Sequence, residues 1–106
     1  MMEFEGVKLL GPANVYFDGK VTSRTFWSAD GTRKTLGFVQ AGEYEFTTGP
    51  AEYMQILGGS LELRLPGESG YIRYEQGASF TIPAGICFQI RTDSFGDYCC
   101  TYLSER

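Results

Sequence analysis

Apolar and polar residues alternate along this chain in short runs, and glycine interrupts the runs. The strictest is Ser60-Leu61-Glu62-Leu63-Arg64-Leu65, which puts three leucines on one face of an extended segment and polar side chains on the other. Similar runs predict strands over 16–17, 21–26, 35–39, 43–48, 52–57, 60–65, 71–74, 78–82, 88–91 and 98–103. Most are near the usual strand length of ~5–6 residues. The joints between them read as Asp30-Gly31, Ala41-Gly42, Gly58-Gly59, Pro66-Gly67, Gln76-Gly77 and Gly96-Asp97. Short strands at regular spacing with turn residues between them predict an all-β sandwich or barrel. Residues before Asn14 read as either a strand or a loose arm.

Composition narrows this picture. A chain of 106 residues is one domain by default, and its 42% hydrophobic content suits a packed core. There is no histidine, which excludes a Ser-His-Asp triad, a Cys-His pair and any His-ligated metal. The net charge of −4, with no Lys/Arg cluster, argues against a nucleic-acid partner. No apolar run approaches the ~20 residues that span a bilayer, and the first residues lack a signal-peptide pattern, so no membrane association is expected. Cys87, Cys99 and Cys100 are odd in number and form no CxxC, which points to a reducing compartment and a cytoplasmic location.

The spacing of the turn residues carries more. In Gly77-Ala78-Ser79-Phe80-Thr81-Ile82-Pro83-Ala84-Gly85, Pro83 must end a strand and Gly85 lets the chain reverse. Together with Phe88, this run resembles the second signature of the cupin barrel. Glu52 and Gly59 stand seven apart, as the glutamate and glycine of the first signature do. The glycine that opens that signature falls at Gln40, and the nearest glycine is Gly42. On this register Phe46, Thr48 and Phe88 occupy the places of the three metal-binding histidines. Phenyl rings ligate no metal, and one carboxylate with one hydroxyl is a poor donor set, so a metal oxygenase or isomerase is not expected.

A narrower likeness spans residues 14–103. Asn14-x-Tyr16-Phe17-x-Gly19-Lys20-Val21-x-Ser23, then Gly37, Gly42-Glu43-Tyr44-x-Phe46-x-Thr48 and Glu52-x-Met54 resemble the small cupins known as pyrimidine/purine nucleoside phosphorylases. So do Gly59-x-Leu61, Leu65-Pro66, Tyr74-x-x-Gly77 and Tyr98-x-Cys100-x-Tyr102-Leu103. The resemblance implies a single-domain cupin (RmlC-like) jelly-roll β-barrel over 14–106, preceded by an extension over 1–13. It also implies a homodimer and phosphorolysis of many nucleosides to free base and ribose 1-phosphate.

That reaction suits a chain without imidazole. Phosphate is already an anion and needs no base to become a nucleophile. The protein has to align phosphate with the ribose, stabilise positive charge on the sugar and hold the base. No resident cofactor is expected; inorganic phosphate is a co-substrate. Glu52, if inward-facing, is the candidate catalytic residue, bonding the ribose hydroxyls and favouring a cationic sugar. Alternation along 43–48 puts Tyr44, Phe46 and Thr48 on the apolar face. With Met54, Phe88 and Tyr102 they are the candidate substrate wall, where stacking on rings accepts purines and pyrimidines alike. Lys20, Ser23, Arg24 and Arg91 are the candidate phosphate donors, arginine gripping two oxygens at once. Cys100 is read as packing, because no histidine is present to activate it. The rival reading is a non-catalytic cupin that binds a small ligand as a sensor or accessory subunit. A purely structural dimerisation module would require an interior packed shut.

Overall fold

The computed structural model describes residues 2–103. The strands are β1 (Lys8–Leu9), β2 (Asn14–Tyr16), β3 (Val21–Trp27), β4 (Arg33–Thr47), β5 (Glu52–Arg64), β6 (Ile72–Glu75), β7 (Ser79–Ile82) and β8 (Cys87–Tyr102). The sole described helix is a single 3-10 turn at Phe17–Gly19. Hydrogen bonding runs in the order β1-β3-β4-β8-β5-β6, with β2 beside β3 and β7 beside β5, and every pairing is antiparallel. The sheet folds over one core as a cupin jelly roll without closing into a continuous cylinder, since β1 and β6 end the path.

The structure corrects the strand count in an instructive way. The predicted pairs 35–39 with 43–48, 52–57 with 60–65, and 88–91 with 98–103 are each one long strand. The glycines between them make irregularities in the ladder, where the sequence pattern had suggested turns. The register shifts between Gln40 and Gly42 on β4, and again around Gly58 and Gly59 on β5. At Gly42 φ is +149°, and a side chain there would overlap the Tyr44 ring. The Tyr44 hydroxyl donates to the carbonyls of Gln40 (2.9 Å) and Ala41 (3.1 Å), so the tyrosine braces the irregular segment from inside. An extra residue inverts the alternation of a strand. Thr35, Gly37 and Val39 are buried before it, and Tyr44 and Thr48 after it.

Val21, Val39, Met54, Ile56, Leu61, Leu63, Ile82 and Ile90 form the centre of the core. Residues before Asn14 join the same sheet: Lys8 pairs with Trp27 and Leu9 with Phe26, and the Phe4 ring meets Phe26 edge-on at 4.8 Å.

The Pro83–Gly85 corner is held from β4. Thr48 Oγ1 lies 2.7 Å from the Pro83 carbonyl oxygen, to which it donates, and accepts from the Ile86 N–H at 3.0 Å. Thr48→Val removes the donor and leaves a sheltered N–H without its partner. We expect a loss of about 1–3 kcal/mol, measured by urea unfolding.

Candidate functional site

Register alone assembles one cavity. Antiparallel neighbours on one face of a sheet form rungs, and three rungs cross β4, β8 and β5. Lys34 pairs with Thr101, so Arg33 lies one step further along beside Tyr102, which pairs with Glu52. The next rung is Thr35–Cys100–Met54, and the third is Gly37–Tyr98–Ile56, extended by Ser23 on β3. Gly37 matters here, because a Cβ at that position would overlap the Tyr98 ring. Glycine leaves room for the far end of the ring to rest over β4. Facing these rungs are Phe46 and Phe88, partners in the ladder beyond the β4 irregularity, with ring centroids 6.1 Å apart.

The cavity measures about 370 Å³ and is lined by Glu52, Arg33, Ser23, Thr35, Met54, Cys100 and the rings of Tyr16, Phe46, Phe88, Tyr98 and Tyr102. That is within the size range of small-molecule sites, roughly 300–1,000 Å³. The interior is therefore not packed shut.

Glu52 is half-buried at the end of its rung. Burial pushes its carboxyl above the ordinary carboxylate range, opposed by a hydrogen bond from Cys100 and by the nearby Arg33 charge. The Cys100 Sγ donates to Glu52 Oε1 at 3.6 Å. Burial, followed by the charge of Glu52, raises the Cys100 thiol far enough to keep it protonated, so it is a donor and a poor nucleophile. The Tyr98 and Tyr102 phenols are raised too, first by burial and then by the Cys100 group beside them, and stay neutral.

Tyr16, which lines the cavity, leads directly into the 3-10 turn. Phe17 and Asp18 have φ of 51° and 57°, left-handed values that cost a non-glycine residue energy, and Gly19 follows at 90°. This corner sets Tyr16 edge-on to Phe46 at 5.5 Å and Phe17 against both Tyr44 (5.0 Å) and Phe46 (5.4 Å).

Of the residues singled out from sequence, Glu52, Phe46, Met54, Phe88, Tyr102 and Ser23 come together in this cavity. Tyr44 and Thr48 share the inward face but are committed elsewhere, to the β4 irregularity and the Pro83 corner. Lys20 is exposed beside the 3-10 turn, and Arg24 is exposed with its Nε donating to the Gly11 carbonyl at 3.0 Å. Arg91 lies at a separate surface hollow, paired with Glu62 at 2.8 Å. None of these three cations lines the cavity, whereas Arg33 does. Extending the inward alternation Val39, Gly37, Thr35 by one step would have found Arg33.

A family model described as pyrimidine/purine nucleoside phosphorylase matches residues 12–102. The chain belongs to this family. A protein of that name from Syntrophotalea carbinolica is 52% identical over 103 residues, covering 97% of this chain and 99% of the relative. Another from Clostridioides difficile is 42% identical over 105 residues, covering 99% and 100%. These family relatives thus also align across most of the segment before Asn14. Among solved structures, a protein from Acinetobacter sp. ADP1 superposes with a TM-score of 0.90 at 32% identity, over 94% of this chain and 97% of that one. An ethanolamine utilization protein Q from Salmonella typhimurium shares the fold at a TM-score of 0.69 and 14% identity, over 93% and 98% of the two chains.

Proposed function

We propose that this member of the nucleoside phosphorylase family cleaves purine and pyrimidine nucleosides with inorganic phosphate in the cavity around Glu52. The products are free base and α-D-ribose 1-phosphate. A phosphate oxygen attacks the anomeric carbon as the C–N bond breaks. The bonding pair leaves on the base nitrogen, and the proton brought by hydrogenphosphate ends on the base.

One observation carries the reading: in a chain of this family, register places a sheltered carboxylate opposite an aromatic wall in one open cavity. Glu52 accepts from the ribose hydroxyls and offsets charge on the oxocarbenium-like sugar. Phe46, Phe88 and Met54 hold the base by its faces, an attraction that every base offers and that explains breadth. No resident cofactor enters this scheme, because phosphate supplies the nucleophile and Phe46, Thr48 and Phe88 offer a metal no useful donor set.

The same proposal includes a homodimer in the cytoplasm. Phe38 and Phe95 stack on the outer face at 5.6 Å while 43% and 40% exposed, an apolar surface suited to a second copy. Cys87, Cys99 and Cys100 are free thiols, in keeping with a reducing compartment. No described helix is long and apolar enough to cross a membrane.

The deciding experiment incubates the protein with uridine or adenosine, with and without phosphate. Base and ribose 1-phosphate are expected in equal amounts and only with phosphate. Release independent of phosphate would mean hydrolysis. Saturable nucleoside binding without product would instead favour a ligand-binding cupin.

A further inference from the structure

We propose that the Tyr98 and Ser23 hydroxyls, which meet at Gly37 inside the cavity, bond the edge of the nucleobase and stabilise it as it leaves. The inference deepens the phosphorolysis reading and rests on it for its ligand; the structure gives its place.

Three strands bring the pair together. Gly37 on β4 pairs with Tyr98 on β8 and with Ser23 on β3. Gly37 yields its side-chain space to the end of the tyrosine, since a Cβ there would overlap the phenol oxygen. The phenol is thus carried over β4 toward Ser23, whose strand lies one spacing or roughly 5 Å further on. Both residues line the cavity.

Both hydroxyls have a proton to give. Asn14 Nδ2 donates to Ser23 Oγ at 3.2 Å and to Thr25 Oγ1 at 3.1 Å. A serine hydroxyl that accepts from an amide keeps its own proton. Other polar groups of the cavity are committed: Cys100 and Tyr102 bond to Thr35, and Cys100 also to Glu52. Tyr98 is instead acted on by burial and by neighbouring titratable groups, which keep it neutral and therefore a donor.

Phosphorolysis needs such donors at one end of the site. As the C–N bond breaks, its pair moves onto the base and spreads to ring nitrogens in purines and carbonyl oxygens in pyrimidines. A hydrogen bond to those atoms strengthens as the charge grows, so it lowers the barrier as well as holding the substrate. Glu52 would repel that charge, and it stands two rungs away, roughly 13 Å along β5. Ribose at Glu52 and base faces on Phe46 and Phe88 leave the base edge for the two hydroxyls. A hydroxyl proton rotates about its C–O bond, so one pair serves acceptors placed differently in purines and pyrimidines. The phenol keeps its proton throughout; the one that ends on the base still comes from hydrogenphosphate. Ser23, read from the sequence as a phosphate donor, serves the base here.

The test compares the wild-type protein with Tyr98→Phe and Ser23→Ala, each checked for an unchanged circular-dichroism spectrum. Rates are measured on uridine and on 5-fluorouridine, whose more acidic base leaves more readily, and uracil binding is measured by calorimetry. Tyr98→Phe is expected to lower kcat at least tenfold on uridine and less than threefold on 5-fluorouridine, with the phosphate KM moving less than threefold. Ser23→Ala should shift the two substrates in the same sense, and it carries the test if the phenylalanine variant fails to fold. An active wild type whose kcat on uridine is unchanged in Tyr98→Phe overturns the base-edge subsite and leaves phosphorolysis standing. Equal falls on both substrates would also overturn it, in favour of a general role in cavity shape. An inactive wild type whose uracil affinity falls at least tenfold in Tyr98→Phe overturns phosphorolysis and leaves the subsite standing. An inactive wild type that binds no uracil overturns both.

Discussion

Glu52→Gln is expected to lower turnover by roughly 10- to 100-fold while making the protein harder to unfold. The first half follows from what a charged acceptor contributes. A hydrogen bond to an ionised group is worth about 1.5–3 kcal/mol, and each 1.4 kcal/mol off a transition-state interaction is about a factor of ten in rate. A neutral amide keeps the shape of the carboxylate and can still meet the ribose hydroxyls, but it no longer offsets positive charge on the sugar. The loss should therefore fall mainly on kcat, with the nucleoside KM changed little.

The second half follows from burial. Removal from water raises the Glu52 carboxyl above its ordinary range, so the folded protein holds that proton more tightly than the unfolded chain. Between the ordinary value and the raised one, the folded state binds more protons, and stability falls as pH rises through that window. Above it the full cost of sheltering the charge is present. Glutamine has no charge to shelter, so the variant should melt a few degrees higher near neutral pH, on the order of the gains seen when strained functional groups are neutralised. Its stability should also lose that part of the pH dependence. Calorimetric scans from pH 4 to 8 on both proteins, alongside steady-state rates, check the two halves independently. A variant that is both slower and less stable would mean that Glu52 holds the fold together and would remove it from the chemistry.

These outcomes bear on how far the sequence could be read. Alternation found nearly every stretch of strand, the spacing around Glu52, Pro83 and Phe88 resembles the cupin signatures, and the motifs across residues 14–103 carry the resemblance to the family. What alternation could not distinguish was a turn from an irregularity in a continuing strand. Both place glycine between extended runs, and only the partner across the ladder reveals which has formed. Gly42 and Gly59 looked like the ends of strands; β4 and β5 pass straight through them.

The same limit shaped the reading of the site. Facing inward is a local property, and alternation along 43–48 makes it legible for Phe46. Reaching the cavity is not local. Tyr44 and Thr48 face inward but spend their hydroxyls on the backbone of Gln40 and Ala41 and on the Pro83 corner. Cations at the cavity were the least legible, because a cation enters a cavity through pairings between distant strands. Lys20 and Arg24 lie within or beside the family-like stretch yet remain exposed, while Arg33 reaches the cavity through the β4–β8 register.

Gly37→Ala should reverse the balance expected for Glu52→Gln, costing more in activity than a single methyl group suggests. The added Cβ would overlap the Tyr98 ring, and since several ring atoms are involved, removing the hydroxyl alone would not relieve it. Overfilling a packed site typically costs about 1–3 kcal/mol. For a domain of this size that corresponds to a fall in melting temperature of roughly 5–20 °C. The fold should survive because Tyr98 lines the cavity, which leaves open space for the ring to enter. Survival is less favoured at Gly59, where φ is +64° and a Cβ would meet the Phe95 carbonyl oxygen, an atom of the backbone that cannot swing aside. In Gly37→Ala the displaced ring enters the space assigned to the nucleoside, between the Met54 rung and the Phe46–Phe88 wall. The nucleoside KM is therefore expected to rise at least tenfold in a protein that still melts cooperatively. A variant with wild-type kinetics and a lowered melting temperature would show that Tyr98 can yield away from the cavity, and that the Gly37 rung supports the sheet without shaping the site.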